Sequence, residues 1–217
     1  MQIVSKSELE AYFTAQPQLV FKESRGKCGY GTHFIETTEL DGNSIRSYMI
    51  LNHFDIVEEC IIQHNDMSKL SSSGVNTVRI VTQIKDHDVV DILGCRLRIS
   101  VDSKVDNMAA GNIAAVIDDI TGSVTSMGYY SDITKPPVNH HPVTGIEIYG
   151  FKVPYWNECI ELAKDAALYH QVNRSIGWDI AIFHDGPGLI EGNHDWCKLL
   201  WQIPANKGLK SMLHQYV

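Results

Sequence analysis

Three observations predict an α+β fold with mostly antiparallel strands. Short strand-like runs separated by turn residues fill residues 18–124. One long amphipathic helix follows, in WNECIELAKDAALYHQ. A final hairpin, GWDIAIFHDGPGLIEGN at 177–193, then restarts the strand pattern. Runs of strands broken by few helices favour α+β over the regular alternation of a parallel sheet.

In chain order, Ser7-Glu8-Leu9-Glu10 is a capping box that predicts a short helix. QLVFKES (18–24) and THFIETTE (32–39) read as strands flanking the glycine-rich RGKCGYG. SIRSYMIL (44–51) fits either a helix or a strand, and DIVEECII (55–62) is apolar enough for a buried strand. TVRIVTQI (77–84), VVDILGCRLRIS (89–100) and AAVIDDITGSV (114–124) are further strands, with DH and TG turns between them. Residues 132–154 hold four of the seven prolines and read as loop. Pro154 stands at an N1-like position, and Trp156, Ile160, Ala163 and Ala167 repeat at helical spacing. The tail from about 195 is predicted to be helical.

With 217 residues, 44% hydrophobic and 20% charged, the composition is that of a globular chain able to bury a sizeable core. The net charge of −8 and the lack of any basic run argue against nucleic acid as a partner. Its start, MQIVSKSELEAYF, lacks the pattern of a signal peptide, and no apolar run approaches the roughly 18 residues of a membrane span. Five cysteines, odd in number and without C-x-x-C spacing, suggest a reduced, cytoplasmic chain.

The last hairpin carries the clearest chemistry. With its loop centred on Asp185, Asp179 lies opposite Glu191, and Asn193 follows two residues along the same face. Two facing carboxylates repel in a sheet, and a bound cation would turn that cost into a site. Asp, Glu and Asn oxygens without His or Cys suit Mg²⁺ or Mn²⁺. A plain hairpin with solvated acids has the same spacing.

Gly26, Gly29 and Gly31 allow a tight loop whose N–H groups could face an anion, with Lys22 reaching in from the preceding strand. It is not a Walker A loop, because a strand and not a helix follows. A flexible hairpin is the alternative. Glu58 and Glu59 end a strand where main-chain groups could read an adenine, or where two carboxylates are merely solvated. Asn76, Arg79 and Arg98 lie in strands among apolar neighbours. An inward Arg needs an anion, and polyphosphate or a carboxylate substrate would serve; outward placement is the alternative. His140-His141 and His194-x-x-Cys197 give no convincing four-ligand zinc set, and Cys197 has no identifiable base.

Glycine flap, acidic strand end and terminal hairpin occur in an order that resembles the ATP-grasp superfamily, specifically the sugar-transfer-associated ATP-grasp proteins. The matching segments are SSGVNTVRIVT (72–82), VDNMAAGNIAAVID (105–118), HPVTGIEIYGFKVPYW (141–156) and IGWDIAIFHDGPGLIEGN (176–193). VFKESRGKCGYG (20–31) and IVEECIIQH (56–64) match more loosely. The resemblance implies an ATP-grasp fold in which two α+β lobes hold a nucleotide, with a flap lobe over 1–67 and a C-terminal lobe over 68–217. It implies that Lys22 binds phosphates under the 26–31 loop, that Glu58, Glu59 and Ile61 form the adenine hinge, and that Asp66 meets the ribose. Asp179, Glu191 and Asn193 match the Mg²⁺ ligands, while Asn76, Arg79, Arg98 and Asn107 face phosphates or acceptor.

The implied reaction is ATP-dependent activation of a carboxylate through an acyl phosphate, captured by an amine or thiol, in polysaccharide or cell-surface metabolism. Its cofactors would be ATP with Mg²⁺ or Mn²⁺. Complete members carry a further N-terminal domain, and Met1 here lies just before the flap-lobe helix. The expectation is therefore a C-terminal module lacking that domain, either a fragment of a larger enzyme or a minimal relative, with a homo-oligomer or a partner that carries the N-terminal domain as alternative assemblies. Gly177 also stands where many ligases of the superfamily have Arg, and HDWCKLL follows Asn193 in place of their Pro-Gly turn. A non-catalytic nucleotide-binding or partner module is the competing function.

Overall fold

A computed structural model describes residues 8, 11, 15–25, 31–39 and 44–216, and it divides into two compact units, 1–61 and 62–217. The helix predicted from Ser7, and Gly26 and Gly29 of the flap, lie largely or wholly outside the described residues.

The first unit is a three-stranded antiparallel sheet, order β2-β1-β3, with β1 at Gln18–Lys22, β2 at His33–Glu36 and β3 at Ile56–Glu59. Strand alternation sends Leu19 and Phe21 to one face, where they pack with Ile35, Ile45 and Phe54. SIRSYMIL, open to either reading in the sequence, is helix α1 (Ser44–Leu51). Its helical spacing brings Ile45, Tyr48 and Met49 to that core, with the Tyr48 ring 5.5 Å from Phe21. β1 ends before Ser24, whose backbone N–H donates to Asp55 Oδ1 at 2.5 Å and ties off the strand.

The second unit opens with helix α2 (Asn65–Leu70) and holds a six-stranded antiparallel sheet, order β7-β6-β5-β4-β8-β9. The strands are β4 Thr77–Ile84, β5 Val90–Ile99, β6 Ile113–Ile117, β7 Tyr129–Tyr130, β8 Ser175–Phe183 and β9 Gly186–Asn193. The long helix α3 (Trp156–Tyr169) covers one face, and its Trp156, Cys159, Ala163 and Ala167 pack on Val78, Ile80, Leu97, Trp178 and Ile180. The small side chains on this helix stripe allow close approach to the sheet. Pro154 lies just before α3, whose N-cap is Tyr155 at φ +54°.

β6 is shorter than the predicted 114–124 strand. Asp118 closes a turn by accepting from Thr121 N–H at 2.8 Å, and Gly122 follows at φ +69°. A Cβ on Gly122 would lie 2.4 Å from the Trp156 ring, so the turn needs glycine for space as well as for φ. The tail is helical in short pieces, α4 (Lys198–Gln202) and α5 (Lys210–Leu213). Among the described residues no helix is long and apolar enough to cross a membrane.

Candidate functional site

The sheet face turned away from α3 carries the charge. Cross-strand register sets Arg79 opposite Asp179 on one side and opposite Arg96 on the other, and sets Asp179 opposite Glu191. The two carboxylates face each other as the spacing predicts, though by a different route. The loop has two residues, His184 and Asp185, because Phe183 pairs with Gly186. That register alone would pair Asp179 with Ile190. A bulge between Asp179 and Ile180 in the β8–β9 ladder leaves Ile190 unpaired and restores Asp179 to Glu191.

Asp179 is only 3% exposed, and the cations it meets belong to the protein. Arg79 grips it with both arms of the guanidinium, Nε to Oδ1 and NH2 to Oδ2, the latter at 2.7 Å. Arg98 adds NH1 to Oδ2 at 2.6 Å. Arg98 then reaches Asp106 Oδ1 through NH2 at 2.8 Å. Asp106 Oδ2 in turn accepts the Thr77 backbone N–H at 2.8 Å and its hydroxyl. The result is a buried alternation Arg79–Asp179–Arg98–Asp106 with two charges of each sign, the condition under which burial of ions is tolerated.

The pKa directions follow from this pairing. Burial works against the Asp179 carboxylate, yet the Arg98 and Arg79 guanidiniums outweigh it and hold the group below the usual range. Burial likewise opposes the Arg98 charge, and Asp106 and Asp179 more than offset it, so its pKa lies above the ordinary value. Burial pushes the Asp106 carboxyl up against the pull of Arg98. Arg96 has no such acid among the described residues; its NH1 donates to Cys95 C=O at 2.8 Å and its Nε to Trp201 C=O at 2.9 Å. Burial lowers its pKa to about 10.

Glu191 is exposed and Asn193 half-buried. Asn193 Nδ2 donates to Glu191 Oε1 at 3.2 Å and to Gly177 C=O at 3.4 Å, which leaves Asn193 Oδ1 as the atom available to a cation. Asp179 Oδ1 accepts one bond and so keeps a lone pair. Two carboxylates and an amide oxygen fit a hard divalent cation that draws its other ligands from water and phosphate. They do not form a closed protein cage: among the described residues no three His, Cys, Asp or Glu side chains gather for a metal. His141 is only 2% exposed and structural. Its Nε2 meets Ser100 C=O at 2.8 Å and its Nδ1 accepts Thr144 N–H at 3.1 Å.

In the first unit Lys22 and Glu58 lie on the sheet face opposite its core and form an ion pair, with 31% and 48% of their side chains exposed. Glu59 is exposed at the next position of β3, opposite Leu19 and so on the other face, Ile61 is half-buried, and Gly31 adopts φ +75°. In the second unit Asp66 lies in the first turn of α2, paired with Lys69 at 2.9 Å. Asn107 caps a short 3₁₀ turn, its Oδ1 accepting Ala109 N–H at 2.9 Å.

Asn76 differs from the expectation that it faces phosphates or acceptor. It is fully buried; Nδ2 donates to Ser71 C=O at 2.8 Å and to Met67 C=O at 3.1 Å, while Oδ1 accepts Ser100 N–H at 2.9 Å. With Gln63 it knots the chain entering β4, a structural use of its whole amide.

Sequence reasoning did not single out Asp106, Thr77 or Trp196. Asp106 directly precedes Asn107 in VDNMAAGN, so a signal was present, but nothing local tied it to Arg98. Trp196 explains both departures noted at Gly177 and in HDWCKLL. Its Cβ lies 2.5 Å from where a Gly177 Cβ would stand, its Nε1 donates to Ser175 Oγ at 3.0 Å, and its C=O accepts Arg79 NH1 at 3.3 Å. The missing side chain at 177 is therefore space taken by Trp196 and by Arg79, whose Cδ would lie 2.9 Å from the same Cβ. Gly177→Ala is expected to destabilise the protein by about 1–3 kcal/mol through overpacking. Urea unfolding checks this, and an unchanged midpoint would show that Trp196 moves freely.

A family model described as sugar-transfer associated ATP-grasp matches residues 4–216. No curated protein matches the chain.

Proposed function

The chain belongs to the sugar-transfer associated ATP-grasp family, and we propose that it is an ATP- and Mg²⁺-dependent carboxylate ligase working through an acyl phosphate. Membership implies ATP binding; the ligase chemistry, its Mg²⁺ dependence and a role in polysaccharide or cell-surface metabolism are the proposed refinements. The observation that carries the reading is one sheet face where exposed Glu191 and half-buried Asn193 adjoin the buried Asp179–Arg79–Arg98 group.

Glu191, Asn193 and Asp179 would hold Mg²⁺, which when bound supplies charge neutralisation to the terminal phosphates. The protein's own residues do the rest. Arg79 and Arg98 present fixed positive charge where negative charge builds up as a carboxylate attacks the γ-phosphorus, and their hold on Asp179 keeps those charges preorganised. No general base is required, because the attacking carboxylate is already ionised at neutral pH. Lys22 of the first unit offers an ammonium to phosphate, and a nucleotide would have to draw it from Glu58. Gly26, Gly29 and Gly31 belong to the loop proposed to close over it, and Glu58, Glu59 and Ile61 to the adenine hinge. Asp66 is proposed for the ribose and Asn107 for the phosphates or the acceptor. The nucleophile that releases phosphate is an amine or a thiol. A cytoplasmic location is part of the reading and agrees with Cys60, Cys95, Cys159 and Cys197 being free thiols.

Calorimetry is expected to give saturable heat with ATP and Mg²⁺ and much weaker heat after chelation of the metal. Silence at millimolar ATP and Mg²⁺ would end the nucleotide reading. ADP formation across a panel of carboxylates paired with amines or thiols tests the ligase step. Binding without turnover on any pair would replace the ligase by a nucleotide-binding module.

A further inference from the structure

Arg98 has five N–H bonds to place and lies in a site where water is scarce. NH1 meets Asp179 Oδ2 at 2.6 Å and Thr77 Oγ1 at 3.3 Å, and NH2 meets Asp106 Oδ1 at 2.8 Å. Its Nε is buried and has no hydrogen-bond partner among the described residues. An orphaned buried N–H on a cation is costly, and its retention calls for a use.

The geometry assigns Asp106 as the positioning residue of Arg98, a role that rests on Arg98 being a ligand-binding group as proposed above. Asp179 cannot do this alone, because Arg79 already neutralises it through a two-armed contact. Asp106 is the acid that balances Arg98, and it is itself fixed. The Thr77 backbone and hydroxyl both donate to Oδ2, which leaves Oδ1 directed at Arg98. Held at both terminal nitrogens by two acids on different segments, the guanidinium cannot rotate, and Nε is left as its uncommitted donor. Without the Asp106 charge, one buried cation is left over. Arg98 then collapses further onto Asp179, and Nε loses its direction.

The test follows the side chain itself. In ¹⁵N-labelled protein the buried Nε–H of Arg98 should give its own slowly exchanging signal, identified by its loss in Arg98→Lys. Asp106→Asn should shift or broaden that signal while the Arg96 signal, whose partners are the Trp201 and Cys95 carbonyls, holds, and should weaken Mg–ATP binding by about tenfold. Thr77→Val keeps all four charges and removes one hydroxyl, so it should act in the same direction with a smaller effect and guards against a folding failure in Asp106→Asn. An Arg98 signal unmoved in both variants, or one that moves only together with that of Arg96, would overturn the assignment, since general loosening affects both. Wild-type protein that binds no Mg–ATP while its Arg98 signal still depends on Asp106 would sink the nucleotide reading and leave the positioning contact standing.

Discussion

Asp179→Asn is expected to cost about 3–5 kcal/mol of stability, the usual penalty for removing one member of a buried ion pair. The carboxylate is only 3% exposed and lies between two guanidiniums, so the amide would leave Arg79 with no acid and Arg98 with Asp106 alone. Denaturant unfolding reads the loss directly. With pairing holding the folded-state pKa of Asp179 below its unfolded value of about 3.9, its stabilisation is fully present above that value and disappears as pH falls through the folded one. Wild-type protein should therefore lose this contribution only below about pH 4, and the Asn variant should lack it at every pH. A variant as stable as wild type at neutral pH would mean that the arginines find other partners and that Asp179 does not hold the face together.

Glu191→Gln should behave in the opposite way. The side chain is exposed and its hydrogen bond from Asn193 Nδ2 survives in an amide, so the thermal midpoint should barely move. Mg²⁺-dependent ATP binding should nonetheless fall by more than the roughly tenfold to hundredfold that outer-shell groups alone are worth to a metal site. Calorimetry on wild type and Glu191→Gln at matched Mg²⁺ separates the two effects. Equal affinities would remove Glu191 from the metal set and leave its pairing with Asp179 as an incidental feature of register. On the proposed function the two substitutions would thus divide the hairpin, with stability lost in Asp179→Asn and only ligand binding lost in Glu191→Gln.

Much of this was legible because it is local. Strand alternation and turn residues gave Thr77–Ile84 and the 177–193 hairpin, and helical spacing from Trp156 gave α3. Short apolar runs were less legible: SIRSYMIL has no strong period, and the ring packing of Tyr48 against Phe21 and Phe54 decides it. Asp179 facing Glu191 was readable, but the assumed loop centre and the observed bulge reach that register differently. Asn76 shows the limit more sharply. A polar residue amid apolar neighbours suggests a ligand group until the surrounding carbonyls are seen to use the whole amide.

By itself the sequence determined the α+β class, the family and the placing of Asp179, Glu191 and Asn193 on one face of a hairpin, because each depends on spacing within a local segment or on motifs in order. Only the tertiary structure decided what neutralises Asp179. Arg79 is 100 residues away from it and Arg98 is 81, while Asp106, which pairs with Arg98, is held by Thr77 at a separation of 29. Ion pairing in a buried site is a balance of desolvation against contact geometry, and neither quantity exists until the strands are laid side by side.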